Sequence, residues 1–327
     1  MTMISKYILT LALYSLIVFY PASIFSTPQT HNWFPKNNKQ QSVTSNISKD
    51  QALPQIKGHK VGQLNLTNLK SLYKDIDYKL TSVRTGHTDI PPVFIQEIPT
   101  GWKNISSIPE KKRLFIKTLL PLIIAANQDI AEERTKALHL LSQKNTKAFS
   151  EEDKQWLKQL YKKYKTQNES VLRKRLDIIP LPLALAQSIE ESGWGTSFFA
   201  RQGNALYGQI SQTGMRPKDR PNGPKIKQFD NLLQSVKSYM HNLNTHKAYK
   251  GFRDLRFQMR TKKQKLDAYK LAAQLLNYSI KKSVYVQNLH SIMRKNKLHD
   301  FAESTFQILP ENVGSLIEKK YIKKVGF

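Results

Sequence analysis

Between Glu110 and about Gln143, apolar residues return at helical spacing: Leu114, Phe115, Leu119, Leu122, Ile123, Ala126, Ile130, Ala137, Leu138 and Leu141. A stripe of this length needs partner surface, so the fold must carry one long helix against a core. Pro121 lacks an amide hydrogen and is expected to kink this helix or split it. Ser150 looks like an N-cap, with Glu151, Glu152 and Asp153 at the positive end of a second helix. That helix carries Trp156, Leu157, Leu160, Tyr161 and Tyr164 as a core face. Pro180 and Pro182 open a third helix, running from Leu183 to about Ser192 and closed by Gly193 and Gly195. Residues 205–229 have no helical period and hold Gly208, Gly214, Pro217, Pro221, Gly223 and Pro224, which predicts a loop or irregular hairpin. Helical patterning returns near Asn231, with Asp230 the expected N-cap, and two more helices fit 264–277 and 283–296. The class expected is α+β and mainly helical, with one short irregular β-hairpin.

The N-terminus predicts export. Lys6 precedes an uncharged apolar run from Tyr7 to Tyr20, followed by small residues up to Ser26. A basic start, a short apolar stretch and small residues near its end form a secretory signal peptide. The run is shorter than the roughly 20 residues a membrane span needs. Cleavage near Ser26 is the expectation, and retention as an uncleaved membrane tether is the alternative. From Thr27 to about Gln55 the chain is polar and too poor in apolar residues to repay ordering, and residues 60 to 85 are mixed, with room for a short strand or two. We therefore read 1–26 as signal peptide and 27–85 as polar spacer. Residues 86–170 form a helical N-terminal region, 171–305 a second unit, and 306–327 a basic C-terminal tail.

Charge adds a partner class. The 327 residues hold 52 Lys and Arg against 24 Asp and Glu, a formal net charge of +28. Such an excess attracts polyanions: nucleic acid, anionic lipid or an anionic envelope polymer. An export leader argues against nucleic acid. Cysteine is absent, which removes disulfides, thiolate metal sites and cysteine nucleophiles. The eight histidines show no paired metal-binding spacing, so no metal and no cofactor are assigned.

Chemistry concentrates in Ala186-Gln187-Ser188-Ile189-Glu190-Glu191-Ser192-Gly193-Trp194-Gly195. A carboxyl group at the end of an apolar helix, beside an aromatic turn, loses solvation and keeps its proton to higher pH. A general acid near neutrality requires that, and glycosidic oxygen is a leaving group that needs such a donor. Flanking glycines let a polymer approach the backbone, and Trp194 offers a flat face to a sugar ring. The residues alone favour Glu191 over Glu190 only by its nearness to the turn. A solvated Glu-Glu pair with Trp194 as a core anchor is the opposing reading.

The run AQSIEESGWGTSFFARQGNALYGQ, Ala186 to Gln209, resembles the signature of the glucosaminidase domain of bacterial wall hydrolases. The segments Lys111–Arg134 and Ser235–Arg253 are similar to the Bax-type branch of that family, so the resemblance covers roughly residues 90 to 305. It implies a lysozyme-like glucosaminidase domain at 171–305 with a helical extension before it. It implies hydrolysis of peptidoglycan glycan strands by an endo-β-N-acetylglucosaminidase, with no cofactor. It makes Glu191 the catalytic acid, and Asn204 and Tyr207 match family positions lining the cleft, with a plain turn-and-core role the alternative. Tyr239 and Tyr278 are candidate hydrogen-bonding walls of the cleft, with core packing the alternative, and Gln187 and Trp194 are further candidate substrate contacts.

The chain departs from the family where a Tyr-Ser-Glu-Arg-Gly motif is usual. Here Tyr278-Ser279-Ile280-Lys281-Lys282 leads to Tyr285 and Val286, without the acid and the glycine. Asp219, in the irregular segment, is the best candidate for a second carboxylate; Asp230 and Asp254 are the alternatives. Paired carboxylates about 5 to 9.5 Å apart are usual for this chemistry. Without one in place, the substrate's own 2-acetamido oxygen serves as nucleophile. Competing activities are a lytic transglycosylase or muramidase, or a non-catalytic peptidoglycan-binding protein. Between Ile210 and Lys265 there are 14 Lys and Arg against 3 Asp, a basic rim suited to anionic envelope polymers. The expected location is the periplasm or cell envelope.

Overall fold

A computed structural model describes residues 58–62, 64–144, 148–216 and 222–322. The leader, most of the spacer, Asp219 and the last five residues of the tail lie outside the described residues. The described chain is mainly helical, with a small β component.

The ordered fold begins earlier than the polar spacer allows. Strand β1 (His59–Val61) pairs in parallel with β2 (Val93–Ile95), and helices α1 (Leu66–Asp75) and α2 (Leu80–Arg84) lie between them. Val61, Leu69 and Leu72 are fully buried, so the spacer boundary at 85 is wrong for residues 59–84. Their apolar positions are few but sit one helical turn apart, which the polar residues around them conceal.

Helix α3 (Ile108–Gln143) follows, capped by Ser107, whose hydroxyl accepts from the Glu110 amide. Pro121 lies inside it and does not split it. A proline inside a helix, which loses one hydrogen bond and crowds the preceding turn, costs about 3 kcal/mol. The opposing burial of Leu119, Leu120, Leu122 and Ile123, all fully enclosed, is worth about 1.5–3 kcal/mol each. Helix α3 is long and apolar enough to cross a bilayer, yet protein covers most of that apolar stretch. Helix α4 (Glu151–Lys163) begins at Ser150 as expected, its hydroxyl accepting from the Asp153 amide at 3.1 Å. Helix α5 (Glu169–Arg175) leads to a buried turn and then to α6 (Leu181–Ser192).

Helix α6 is enclosed on nearly every side: Leu183, Ala184, Leu185 and Ala186 are fully buried. A helix apolar all round belongs at the centre of a domain. Around it sit α3, α10 (Ala268–Ala272) and α11 (Ser283–Lys295). Helix α7 (Phe198–Gly203) and strand β3 (Ile210–Met215) come between, and β3 folds back on Ile226 as the irregular hairpin. Helix α8 (Leu232–Thr245) packs on α3. Its cap is Asn231, which accepts from the Gln234 amide, and not Asp230. Helix α9 (Lys250–Thr261) was not expected, and 264–277 contains only the short α10. The tail is also folded in part: α12 (Glu311–Tyr321) docks on β1 and α1, with Ile317 fully buried. One continuous apolar core runs from Val61 to Tyr321 through β1, β2 and the helices, while β3 stays outside it.

Candidate active site

Two consecutive acids end α6, and their surroundings separate them. Glu190 accepts a hydrogen bond from the Asn288 side chain of α11 at 2.9 Å. Glu191 lies against Gly208, where an added Cβ would stand 3.2 Å from its Oε2. Burial pushes the Glu191 carboxyl from an ordinary 4.5 up to about 7. A hydrogen bond from Tyr285 and the charge of Lys281 oppose that rise, while Glu190 adds to it. Glu191 as a residue keeps some solvent contact; its carboxyl is enclosed enough for desolvation to dominate. This carboxyl therefore keeps its proton to a higher pH than an ordinary glutamate.

The helix stops here because its backbone turns left-handed. Gly193, Trp194 and Gly195 are all left-handed, with φ of 57°, 60° and 76°. Glycine adopts that region freely; tryptophan does so at a cost. Trp194 is held there because its carbonyl accepts from the Trp102 indole at 2.8 Å, and the Gly195 amide donates to Ser192 Oγ at 3.0 Å. A side chain at Gly195 would meet Trp102, Ile98 and Phe115 at 3.1–3.2 Å. The Trp194 ring stands edge-on to Phe115 and lies 5.1 Å below the Lys112 ammonium. It keeps partial exposure, with one face committed to Lys112.

Behind Glu191 runs a directed chain of hydrogen bonds. Tyr239 donates to Gln187 Oε1 at 2.7 Å, and Gln187 Nε2 donates to the Tyr285 oxygen at 3.0 Å. The Tyr285 hydrogen is thereby left for Glu191. Tyr207 stacks on Tyr239 with centroids 3.8 Å apart, and Tyr278 lies parallel to Tyr285 at 5.4 Å. Tyr278 donates to the Tyr207 carbonyl at 3.2 Å, and Tyr249 stands 5.7 Å from Tyr278. Burial, followed by the Glu191 charge, raises the Tyr278 and Tyr285 hydroxyls far above 10; burial takes Tyr249 to about 12. These phenols stay protonated donors.

This geometry corrects several expected substrate contacts. Gln187 and Tyr239 are fully buried and Tyr207 is 2% exposed, so they shape the site from behind and do not face a sugar. Sequence pattern cannot tell a buried polar side chain with partners from one offered to a ligand. Asn204 is a left-handed helix cap whose amide donates to the Phe229 carbonyl at 3.0 Å, a turn-forming role. Tyr278 and Trp194 remain partly exposed beside the carboxyl helix. Asp219 lies outside the described residues. Asp230 accepts from the Gln234 side chain, and Asp254 is held by Lys174 and Lys250. Neither acts appreciably on Glu191, whose nearest charged influences among the described residues are Glu190 and Lys281. Tyr285, Tyr249, Gly208 and Lys281 were missed as site residues. Tyr285 and Lys281 stood in the altered C-terminal motif, which was the signal available. Among the described residues no cluster of three or more His, Asp or Glu is placed to hold a metal ion.

The family model described as Glucosaminidase, mannosyl-glycoprotein endo-beta-N-acetylglucosaminidase, matches residues 166–298, which span α5 to α11. Protein bax of Escherichia coli strain K12 is 34% identical over 209 residues, covering 61% of this chain and 74% of that protein. No solved structure matches the chain significantly.

Proposed function

Because the chain belongs to the bax-type proteins, which carry a lysozyme-like glucosaminidase domain, we propose that it hydrolyses peptidoglycan glycan strands as an endo-β-N-acetylglucosaminidase with Glu191 as general acid. The observation that carries this reading is a carboxyl group with its pKa near 7, at the end of a buried helix and beside a glycine-walled turn. Glu191 gives its proton to the glycosidic oxygen as the C1–O bond breaks. The 2-acetamido oxygen then bonds C1. The carboxylate left behind takes a proton from water, whose oxygen attacks C1 and releases the acetamido group. This route needs a single strong acid, consistent with the absence of another described carboxylate acting on Glu191 besides its neighbour Glu190. A second route uses Asp219 as the partner carboxylate. Tyr285 holds the Glu191 side chain in place, and Gln187 holds Tyr285.

On this reading the protein works outside the cytoplasm, carried there by the leader of residues 1–26, and its basic rim gathers anionic wall polymer at a rate that falls with salt. Digestion of purified peptidoglycan, with the product ends identified by mass spectrometry, tests the bond cut. The expected ends are reducing N-acetylglucosamine. Anhydro-muramic ends would make the protein a lytic transglycosylase, reducing muramic ends a muramidase, and binding without any product a wall-binding protein.

A further inference from the structure

The turn that follows Glu191 is built by one part of the chain and held by another. Gly193, Trp194 and Gly195 are consecutive left-handed residues, and only the glycines take that shape freely. Within this segment, Ser192 Oγ donates to the Ser188 carbonyl at 2.6 Å and accepts from the Gly195 amide. The Ser197 amide returns to the Ser192 carbonyl at 3.0 Å. These bonds tie Ser192, the neighbour of Glu191, to the turn. The floor of the turn comes from before the glucosaminidase region of residues 166–298. Trp102, buried in a short 3-10 turn (Trp102–Asn104) that precedes α3, donates its indole N–H to the Trp194 carbonyl. Ile98 and Phe115 close on Gly195 beside that indole, so a side chain there would crowd all three. The Phe115 ring stands 6.4 Å from the Trp102 ring and 5.8 Å from the Trp194 ring.

Trp102 is too deeply buried to touch a substrate, at 1% exposed. Its N–H goes to the carbonyl of the one strained residue in the turn. A left-handed tryptophan persists only where its surroundings over-determine it. Without the indole N–H, that carbonyl loses this partner and the strained conformation loses its restraint. Relaxation of Trp194 would carry Gly195 with it and break the bond to Ser192. That moves the last turn of α6, where Glu191 lies against Gly208. Resting on the hydrolase reading above, we propose that Trp102 is a positioning residue: from outside the glucosaminidase region it locks the Gly193–Gly195 turn and so holds the Glu191 carboxyl in its working place. The helical N-terminal region is then part of the active-site machinery.

Trp102→Phe in the full-length protein tests this, because phenylalanine keeps an aromatic ring and lacks the N–H. Misplacing a catalytic group by about 1 Å can cost about 100-fold. A partial shift is expected to lower kcat on peptidoglycan about tenfold, with KM changed less than about twofold. The alkaline limit of activity and the ¹³C midpoint of Glu191 are expected to fall by about one pH unit as the carboxyl gains water. Glu190, Tyr285 and Lys281, which act on that carboxyl, stay in the chain. Ile105→Ala opens a cavity at the end of the same short turn and serves as the comparison for lost stability alone. It is expected to melt earlier while keeping the wild-type kcat and pH profile. If Trp102→Phe does not fold, Phe115→Leu, which loosens the ring packed on Trp194, is read in the same way: the same falls support the inference and wild-type values overturn it. A wild-type kcat and Glu191 midpoint in Trp102→Phe overturn it, as do equal losses in Ile105→Ala. No cleavage by the wild type overturns the hydrolase reading alone; the Glu191 titration in Trp102→Phe still decides whether Trp102 holds the turn.

Discussion

Glu191→Gln is expected to abolish lysis, by about 10²- to 10⁴-fold in kcat, while binding to insoluble peptidoglycan is retained. Glutamine keeps the shape and cannot donate a proton to the leaving oxygen. The same substitution is expected to stabilise the protein at alkaline pH. The Glu191 carboxyl is pushed up from 4.5 to about 7 by burial. The folded state therefore binds this proton more tightly than the unfolded state. Relative to its protonated form, the folded protein loses stability as pH rises from about 4.5 through about 7, and the loss is complete above that. A shift of this size corresponds to at most about 3 kcal/mol. Denaturant melts of the two proteins should coincide near pH 4 and separate near pH 8, with Glu191→Gln the more stable. Activity of the wild type should fall through about pH 7, because only the protonated form acts. A variant that loses lysis and stability together at pH 8 would mark Glu191 as a structural residue.

Asp177→Ala is expected to destabilise the fold by about 3–5 kcal/mol, the largest single loss in stability foreseen here. Asp177 is 2% exposed and sits in the turn that feeds α6. Arg260 donates to both its oxygens, at 3.1 and 3.0 Å, and Arg256, fully buried, approaches at 4.0 Å. Burial alone would raise this carboxyl; Arg256, Arg260 and Arg134 together hold it below its usual range. Removing the carboxylate leaves the Arg256 charge buried without its counterion, and its remaining bonds go to the carbonyls of Asp177, Ile178 and Lys174. The sign for pH follows: this stabilisation is present above the ordinary aspartate range and is lost as acid protonates the group below it. Chemical denaturation of the variant at neutral pH measures the effect; a change under about 1 kcal/mol would show that solvent replaces the carboxylate. Total stabilities are about 5–15 kcal/mol, so the variant sits near the folding threshold.

These two residues show what sequence can and cannot disclose. Glu191 was legible because its helix, its glycine turn and its aromatic neighbour are consecutive in the chain. Asp177 and its arginines were not, because their pairing joins residues 83 or fewer positions apart across α3, α5 and α9. Helix α9 escaped notice for the same reason. Its inward face holds Arg253 and Arg256 beside Phe252 and Met259, and an arginine at a core position breaks the apolar period. Helices α3, α4, α6 and α8 follow apolar stripes and caps that one segment contains by itself. Helix α12 did not, since Ile317 and Tyr321 stand among lysines that look like a tail. The Tyr239–Gln187–Tyr285 chain was half legible. Gln187 and Tyr239 were taken for sugar contacts and Tyr285 was given no role, whereas the three are one another's partners.

The claim on which the rest depends is that Glu191 holds its proton near neutrality. A titration of the Glu191 carboxyl by ¹³C NMR, using Glu191→Gln to assign the resonance, measures it directly. A midpoint near pH 7 is expected, displaced upward by burial against the pull of Tyr285 and Lys281. A midpoint near 4.5, the value of a glutamate in water, would contradict the account.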